Sequence, residues 1–468
     1  MTGRPYPKPP DDDRVFFFEL YYDFEGQRPD AITLAPPMDE DGTPTVTIGM
    51  IVFDRDVPIT SFRYLSGPTV LAIDWDDPWY SQFDSDNLKR HHQSGLTTYL
   101  CIEPREVRHE VLIRVRDLDH WLKRGFGPGE HLQPDALELL KTDTIEFLKP
   151  RNRISIDGEP VGEKLARAEF LYLSAAGLQI LEKNASLRTD AAFIGLVFTV
   201  PRQSLPDRVE VEWDMFTPRI SNVPTTSFDP AGPFIGAATV DDPTIVWVNH
   251  LRTYENPRVV PIAVQDTIDM RVLFLAMALV AVVLVVVIVY LVPPGRSRRA
   301  LLAAGLAGLG AATFALHENM IRLPGFFLNP PDTVQVTDVV AAVLENLSIA
   351  DLEPLPEARE DALRAFVRQP ALADVAAELD RAFVIRAPGG GRASLSGLRD
   401  LDVSGIAASE QPGGFQAVGT WSAVATAGHW GHSHRRALNI RAMISAAPQN
   451  GVWMLDGITI IEAQDDGS

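Results

Sequence analysis

Residues Val272 to Val292 read VLFLAMALVAVVLVVVIVYLV, with no charged side chain and neither Gly nor Pro. As a helix rising about 1.5 Å per residue, this run covers roughly 31 Å, close to the ~30 Å hydrocarbon core of a bilayer. A core helix of a soluble domain keeps a polar stripe toward water, and this run has none. The sequence therefore predicts a transmembrane helix over 272–292, with the lipid bilayer as a partner.

A second apolar stretch, Ala300–Leu316, reads ALLAAGLAGLGAATFAL. It covers only about 25 Å as a helix, which local thinning or snorkelling accommodates. Small residues recur every fourth position at Ala300, Ala304, Gly308 and Ala312, a spacing that lets membrane helices approach closely. The alternative is an amphipathic or buried helix on the cytoplasmic side. The hairpin, 272–292 with 300–316, is the preferred expectation. Arg296, Arg298 and Arg299 in the connection place it in the cytoplasm by the positive-inside rule. Large extracytoplasmic domains on a bacterial inner membrane follow. With a single span, the C-terminal part becomes cytoplasmic instead. The opening MTGRPYPKPPDDDR lacks the charged-then-apolar pattern of a signal peptide, which sits uneasily with export.

The formal charge of −20 argues against a nucleic-acid partner, which calls for a basic face. The single cysteine, Cys101, excludes an internal disulfide, a CxxC motif and a cysteine-based zinc cluster. The expected fold class is a multidomain membrane protein. After a Pro/Asp-rich tail (1–13) come a mainly-β domain with a terminal helix (14–150) and an immunoglobulin-like sandwich (151–265). The membrane segment follows, and then an α+β domain (332–468). FFFELYYDF, TVTIGMIVF and EVRHEVLIRVR (106–116) alternate as strands. In the last, Val107, His109, Val111, Ile113 and Val115 share one face while Arg108, Glu110, Arg114 and Arg116 share the other, so His109 reads as a core histidine. Pro134–Leu148 reads as a helix with Pro near its start. Asp157-Gly158 is a hairpin turn, followed by several short strands at sandwich spacing.

One loop carries Asp74, Trp75, Asp76, Asp77, Trp79, Tyr80, Asp84 and Asp86. Clustered carboxylates are hard oxygen ligands for Ca²⁺, and aromatics stack on sugars. The loop lacks the DxDxDG pattern, so the bland reading is an acidic loop with inward-packed aromatics, its charge balanced by Lys89-Arg90-His91-His92.

From about Asp332 helical spacing appears in VTDVVAAVLENL, PEAREDALRAFV and ALADVAAELDRAFVI, then four strands ending in NGVWMLDGITII. Helices followed by a curved antiparallel sheet resemble the NTF2-like α+β cone. In membrane-tethered relatives, such as the VirB8-like assembly factors of secretion systems, that resemblance implies a protein-binding scaffold. In soluble relatives it implies an enzyme pocket. Between the second and third strands lies Gly428-His429-Trp430-Gly431-His432-Ser433-His434-Arg435-Arg436. His429, His432 and His434 are imidazoles suited to Zn²⁺ or Cu²⁺. Arg435 and Arg436 would repel a cation and fit an anionic ligand or partner surface instead. The competing reading is a turn in which Trp430 plugs a core.

No phosphate loop, HExxH or GxSxG motif is present. The expected function is a non-catalytic envelope scaffold or accessory subunit that binds other envelope proteins. A metal-handling membrane protein using 429–434 and an NTF2-like enzyme are the alternatives. No cofactor beyond Zn or Cu is expected.

Overall fold

Glu106–Arg114 carries apolar residues on both of its faces, which requires a neighbour on each edge and a cover on each side. The computed structural model provides both. It describes residues 18–174, 177–264, 267–268, 270–295, 297–298, 300–302, 304–305, 308, 321–322, 331–382, 394–430 and 432–465, with backbone alone at 267–268, 270–279, 321–322, 381–382, 394–397, 425–429, 432–436 and 465. The chain divides into two units. One holds Met1–Pro257, Arg386–Gly391 and Ala427–Ser433; the other holds Arg258–Ile385, Arg392–Thr426 and His434–Ser468.

In the first unit, β1 (Leu96–Ile102) and β2 (Glu106–Arg114) lead into α1 (Val115–Leu122) and α2 (Pro134–Leu148). There follow β3 (Arg153–Ile156), β4 (Glu159–Pro160), β5 (Lys164–Ser174), β6 (Gly177–Ile180) and β7 (Ala192–Pro201). β8 (Arg208–Glu212), β9 (Asn222–Asp229), β10 (Gly232–Thr239) and β11 (Thr244–Val248) come after them, and short strands between Ala31 and Phe83 precede β1. A seven-stranded sheet has the order β6-β5-β7-β2-β1-β9-β10, and a four-stranded sheet the order β4-β3-β8-β11. Within the large sheet only β9 and β1 pair in parallel. Asp157 and Gly158 adopt φ 55° and 85°, the two positive values a type I′ turn needs between β3 and β4.

Val107, Val111, Ile113, Ile194 and Phe198 of the large sheet form one buried cluster with Ile154, Val209, Val211, Ile245 and Trp247 of the small one. Tyr99, Leu112, Phe193 and Val197 belong to a second buried cluster with Val57, Trp79 and Trp430. The sheet does not follow the expected division at residue 150. A sandwich exists, but its central sheet takes β1 and β2 from before 150, because β2 satisfies its edges only between β1 and β7. Two other strand expectations also change. Residues 18–24 lie outside any strand with Phe18, Leu20 and Tyr22 exposed, and of TVTIGMIVF only Ile48–Met50 and Phe53 pair. Val115 and Arg116 open α1 and do not prolong β2. α2 begins at Pro134, as the sequence predicts.

The second unit contains β12 (Ile262–Ala263), β13 (Thr267–Ile268), α3 (Met270–Leu291) and β14 (Ile321–Arg322). Helices α4 (Thr333–Asp351), α5 (Pro356–Arg364) and α6 (Leu372–Ala382) precede β15 (Ser394–Ala408), β16 (Phe415–His429), β17 (His432–Gln449) and β18 (Val452–Asp465). The order β12-β18-β17-β16-β15 makes a half-barrel, bent by register shifts in β15/β16 and β17/β18. Asp332 caps α4 by accepting the Gln335 N–H at 2.8 Å. The apolar face of α4 (Val336, Val340, Val343, Leu347) is buried. A methyl group at Gly419 of β16 would sit 3.7 Å from Val340 and from Trp421, and 3.5 Å from Ile444, so α4 and Trp421 fill the space over the sheet there.

α3 and α4 are of similar length, 22 and 19 residues, but α3 is apolar from Val272 onward while α4 also carries Gln335, Asp338, Glu345 and Asn346, and the two differ in what covers them. α4 is packed. In α3, by contrast, Val280, Val282, Val283, Leu284, Val286, Val287, Val289, Tyr290 and Leu291 are all exposed, which at 100° per residue leaves only one stripe, Ala281, Val285 and Ile288, half-buried.

The entry to α3 is tied down. Asn346 of α4 is buried, and its side-chain amide accepts the Val260 N–H (3.0 Å) and donates to the Val260 carbonyl (2.9 Å). Ile262 and Ala263 pair with Trp453 and Val452. Replacing Asn346 by Leu leaves both Val260 groups without this partner. We expect a loss of about 1–2 kcal/mol and faster amide hydrogen exchange at Val260, measured by mass spectrometry; unchanged exchange would mean β12 alone holds the segment.

Candidate functional site

Alternation along β2 sends Glu110, Leu112 and Arg114 to one side, and the structure buries that side as completely as the other. Arg114 cannot shed its charge at neutral pH, so it must be met by anions. Its Nε donates to Asp117 Oδ2 (2.8 Å), Nη2 to Asp117 Oδ1 (3.0 Å) and to Asp77 Oδ2, and Nη1 to Asp77 Oδ1 (3.0 Å) and the Asp190 carbonyl (3.2 Å). Arg116 pairs with Asp77 (3.4 Å) and Asp190 (3.1 Å), and Arg188 joins Asp190 to Asp56. The Tyr80 hydroxyl donates to Asp117 at 2.9 Å. Burial would raise the Asp77 carboxyl, but Arg114 and Arg116 outweigh it and hold the group below the usual range. Tyr80 is pushed well above its ordinary value by burial and by Asp117. Gly95 is required here, because a side chain on it would collide with the Asp117 carboxylate.

This network absorbs the acidic loop. Asp77 is spent on Arg114 and on capping the Trp79 N–H. Asp74 accepts the Asp76 and Asp77 N–H groups, Asp84 accepts from Thr69 and Val70, Asp86 pairs with Lys89, and Asp76 is exposed. Over Asp74, Asp76, Asp77, Asp84 and Asp86, where the sequence offers a Ca²⁺ or ligand loop, the carboxylates diverge to separate partners. Among the described residues no group of three His, Cys, Asp or Glu side chains could hold a metal ion. The aromatics pack inward as the bland reading holds, with Trp79 buried edge-on to Phe193 at 5.2 Å. Arg90, read as a counter-charge, instead stacks on Trp79 at 3.8 Å and donates to the Trp79 carbonyl.

A second polar group lies further along β2. Glu110 accepts the Trp430 backbone N–H (2.5 Å), faces Arg108 (3.4 Å) and takes a weak bond from the Cys101 thiol (3.9 Å). Burial raises the Glu110 carboxyl, and burial with Glu110 nearby pushes Cys101 up to about 12. Such a thiol is inert as a nucleophile at neutral pH. Trp430, 1% exposed at φ 43°, fills a socket where Gly195 leaves room for the indole, and Arg167 stacks over it at 4.9 Å. The turn thus has the buried tryptophan of the competing reading. The side chains of His429, His432, His434, Arg435 and Arg436 lie outside the described residues.

On the other face, His109 is fully buried, as read from the sequence. Its Nδ1 donates to Asn152 Oδ1 at 2.5 Å and its ring stands edge-on to Trp213 at 5.9 Å. Nε2 finds no partner among the described residues. Burial, opposed by Asn152, brings the imidazole down to about 4. Arg114, Asp117, Asp190, Glu110 and Asn152 escape sequence reasoning, since each pairs with a residue distant in the chain. The exception is Arg114 with Asp117, three residues apart, which becomes visible once α1 is known to start at Val115.

No protein-family model matches this chain, and no curated protein matches it. Among solved structures, the crystal structure of the intermembrane space region of the chloroplast protein ARC6 is 14% identical, with a TM-score of 0.21, covering 28% of this chain and 98% of that one.

Two measurements probe these groups. Arg114→Met strands two buried carboxylates, and we expect a loss of about 3–5 kcal/mol, read from denaturant unfolding of the full chain in detergent. A loss below about 1 kcal/mol would mean Arg116 takes over both. For His109, the unfolded imidazole protonates near 6.5 while the folded one resists until about 4, so stability is lost as pH falls through that window. The wild type should lose up to about 3 kcal/mol more than His109→Leu between those limits. Parallel pH profiles of the thermal midpoint would show that His109 is solvated.

Proposed function

We propose that this protein is a membrane-anchored bacterial envelope scaffold or accessory subunit, non-catalytic, whose extracytoplasmic domains bind other envelope proteins. The observation that carries the reading is α3, whose described side chains from Val280 to Leu291 are apolar and exposed around most of the helix, with one half-buried stripe at Ala281, Val285 and Ile288, a surface suited to lipid and unsuited to water. The ionisable groups of the first unit support a structural role. Arg114, Asp77, Asp117 and Asp190 are consumed by one another, Cys101 is held protonated and His109 neutral. Cys101 and His109 are thereby moved away from neutral pH, where general acid–base chemistry operates. In the second unit, the order of three helices then four long strands resembles the NTF2-like cone, and Val340 and Trp421 fill the side of the sheet where such folds open a pocket. This favours the scaffold members of that resemblance over the enzymes.

The test is fractionation followed by mild-detergent purification from native membranes, with mass spectrometry of what stays bound. Retention in the pellet after alkaline carbonate and stoichiometric envelope partners are expected. Release by carbonate would overturn the anchor, and a solitary, monodisperse protein would overturn the scaffold.

A further inference from the structure

We infer that the chain crosses the bilayer twice between Ala263 and Thr333, so that both flanks of the apolar region lie on one face and only the short connection around Ser297 reaches the other. This rests on the reading of α3 as a membrane helix, and adds to it the return crossing and the sidedness of the second unit.

The evidence is hydrogen bonding across the apolar region. Before it, Val260 is held at both its N–H and carbonyl by Asn346. Ile262 and Ala263 pair with Trp453 and Val452, and the Val264 N–H donates to the Gly451 carbonyl at 3.0 Å. Asn346, Gly451, Val452 and Trp453 all come after it. A hydrogen bond spans about 3 Å and a hydrocarbon core about 30 Å, so partners in one folded unit share a side of the membrane. Closer to the lipid the same holds, because Thr267 pairs with Arg322 and Ile268 with Ile321, antiparallel. The strand that leads into α3 at Met270 therefore lies beside the strand that leads away from the apolar region.

One crossing by α3 delivers Val292 to the far side. Rejoining α4 at Thr333 then requires a return between them. In that interval the one long uncharged stretch is Ala300–Leu316. It is a little short for the core, and an arginine at its start, Arg298, can reach back to the headgroups along its aliphatic stem. Arg296, Arg298 and Arg299 assign the connection to the cytoplasmic face, and the second unit to the opposite one.

The experiment places single cysteines in the full-length chain and labels them with a membrane-impermeant maleimide in right-side-out and inverted vesicles. Cys101 is buried, so the unsubstituted chain serves as a low background. Arg258→Cys, Ser297→Cys and Ser404→Cys are at exposed positions. The expected result is that Arg258→Cys and Ser404→Cys label in one vesicle orientation, with labelling of Ser297→Cys lost there and recovered in the other. If Ser404→Cys and Ser297→Cys label together, opposite Arg258→Cys, the chain crosses once and the inference is overturned while α3 remains a span. If all three label from one face and carbonate leaves the protein in the pellet, the apolar region lies in one leaflet and the double crossing fails. If all three label from one face and carbonate releases the protein, the membrane reading itself fails.

Discussion

A guanidinium sealed inside a protein must be surrounded by acceptors, and Arg114 dictates much of the first unit for that reason. It draws Asp117 from the first turn of α1, Asp77 from the loop before β1 and the Asp190 carbonyl from the segment before β7. Three stretches far apart in sequence are thus fixed over one face of the central sheet. Breaking such a site costs far more than forming it returns, because the stranded charge has no exit to water. Gly95 and the capping of Trp79 by Asp77 then follow as geometric conditions of the same contact.

Much of the secondary structure was legible in the residues. Period-2 alternation located β2 and the four C-terminal strands, period-3.6 spacing located α2 and α4–α6, and Asp157-Gly158 marked its turn. The grouping of strands was not legible, because pairing of β1 with β9 joins residues more than a hundred positions apart, and no local pattern encodes a long-range register. The acidic loop shows the same limit. Its carboxylates looked like a ligand set in sequence, yet Asp77 turns inward to an arginine on a strand that alternation marked only as carrying charge on one face. The burial of His109 was readable, since it sits among valines and isoleucines on the apolar face of β2; its partner Asn152 was not.

The two helices differ in composition and in environment together. α3 is apolar without interruption from Val272, whereas α4 sets Gln335, Asp338, Glu345 and Asn346 among its valines and leucines and buries its apolar face. In α4 the cover is the half-barrel; in α3 the described side chains are exposed apart from the half-buried stripe of Ala281, Val285 and Ile288. The same half-barrel that buries α4 also receives β12, so the fold that gives the second unit its core fixes where the chain enters the membrane region.

That last pairing has a consequence for the order of events during synthesis. β12 emerges from the ribosome early, but the strand it pairs with, β18, is the last element of the chain. Domains with such distant pairings close slowly and expose unpaired strands meanwhile. The apolar helix, by contrast, makes its hydrogen bonds within itself and can be partitioned into lipid as soon as it appears. On the proposed anchor reading, insertion precedes completion of the second unit, and the embedded segment acts as a tether that keeps β12 near the site of closure until β18 arrives.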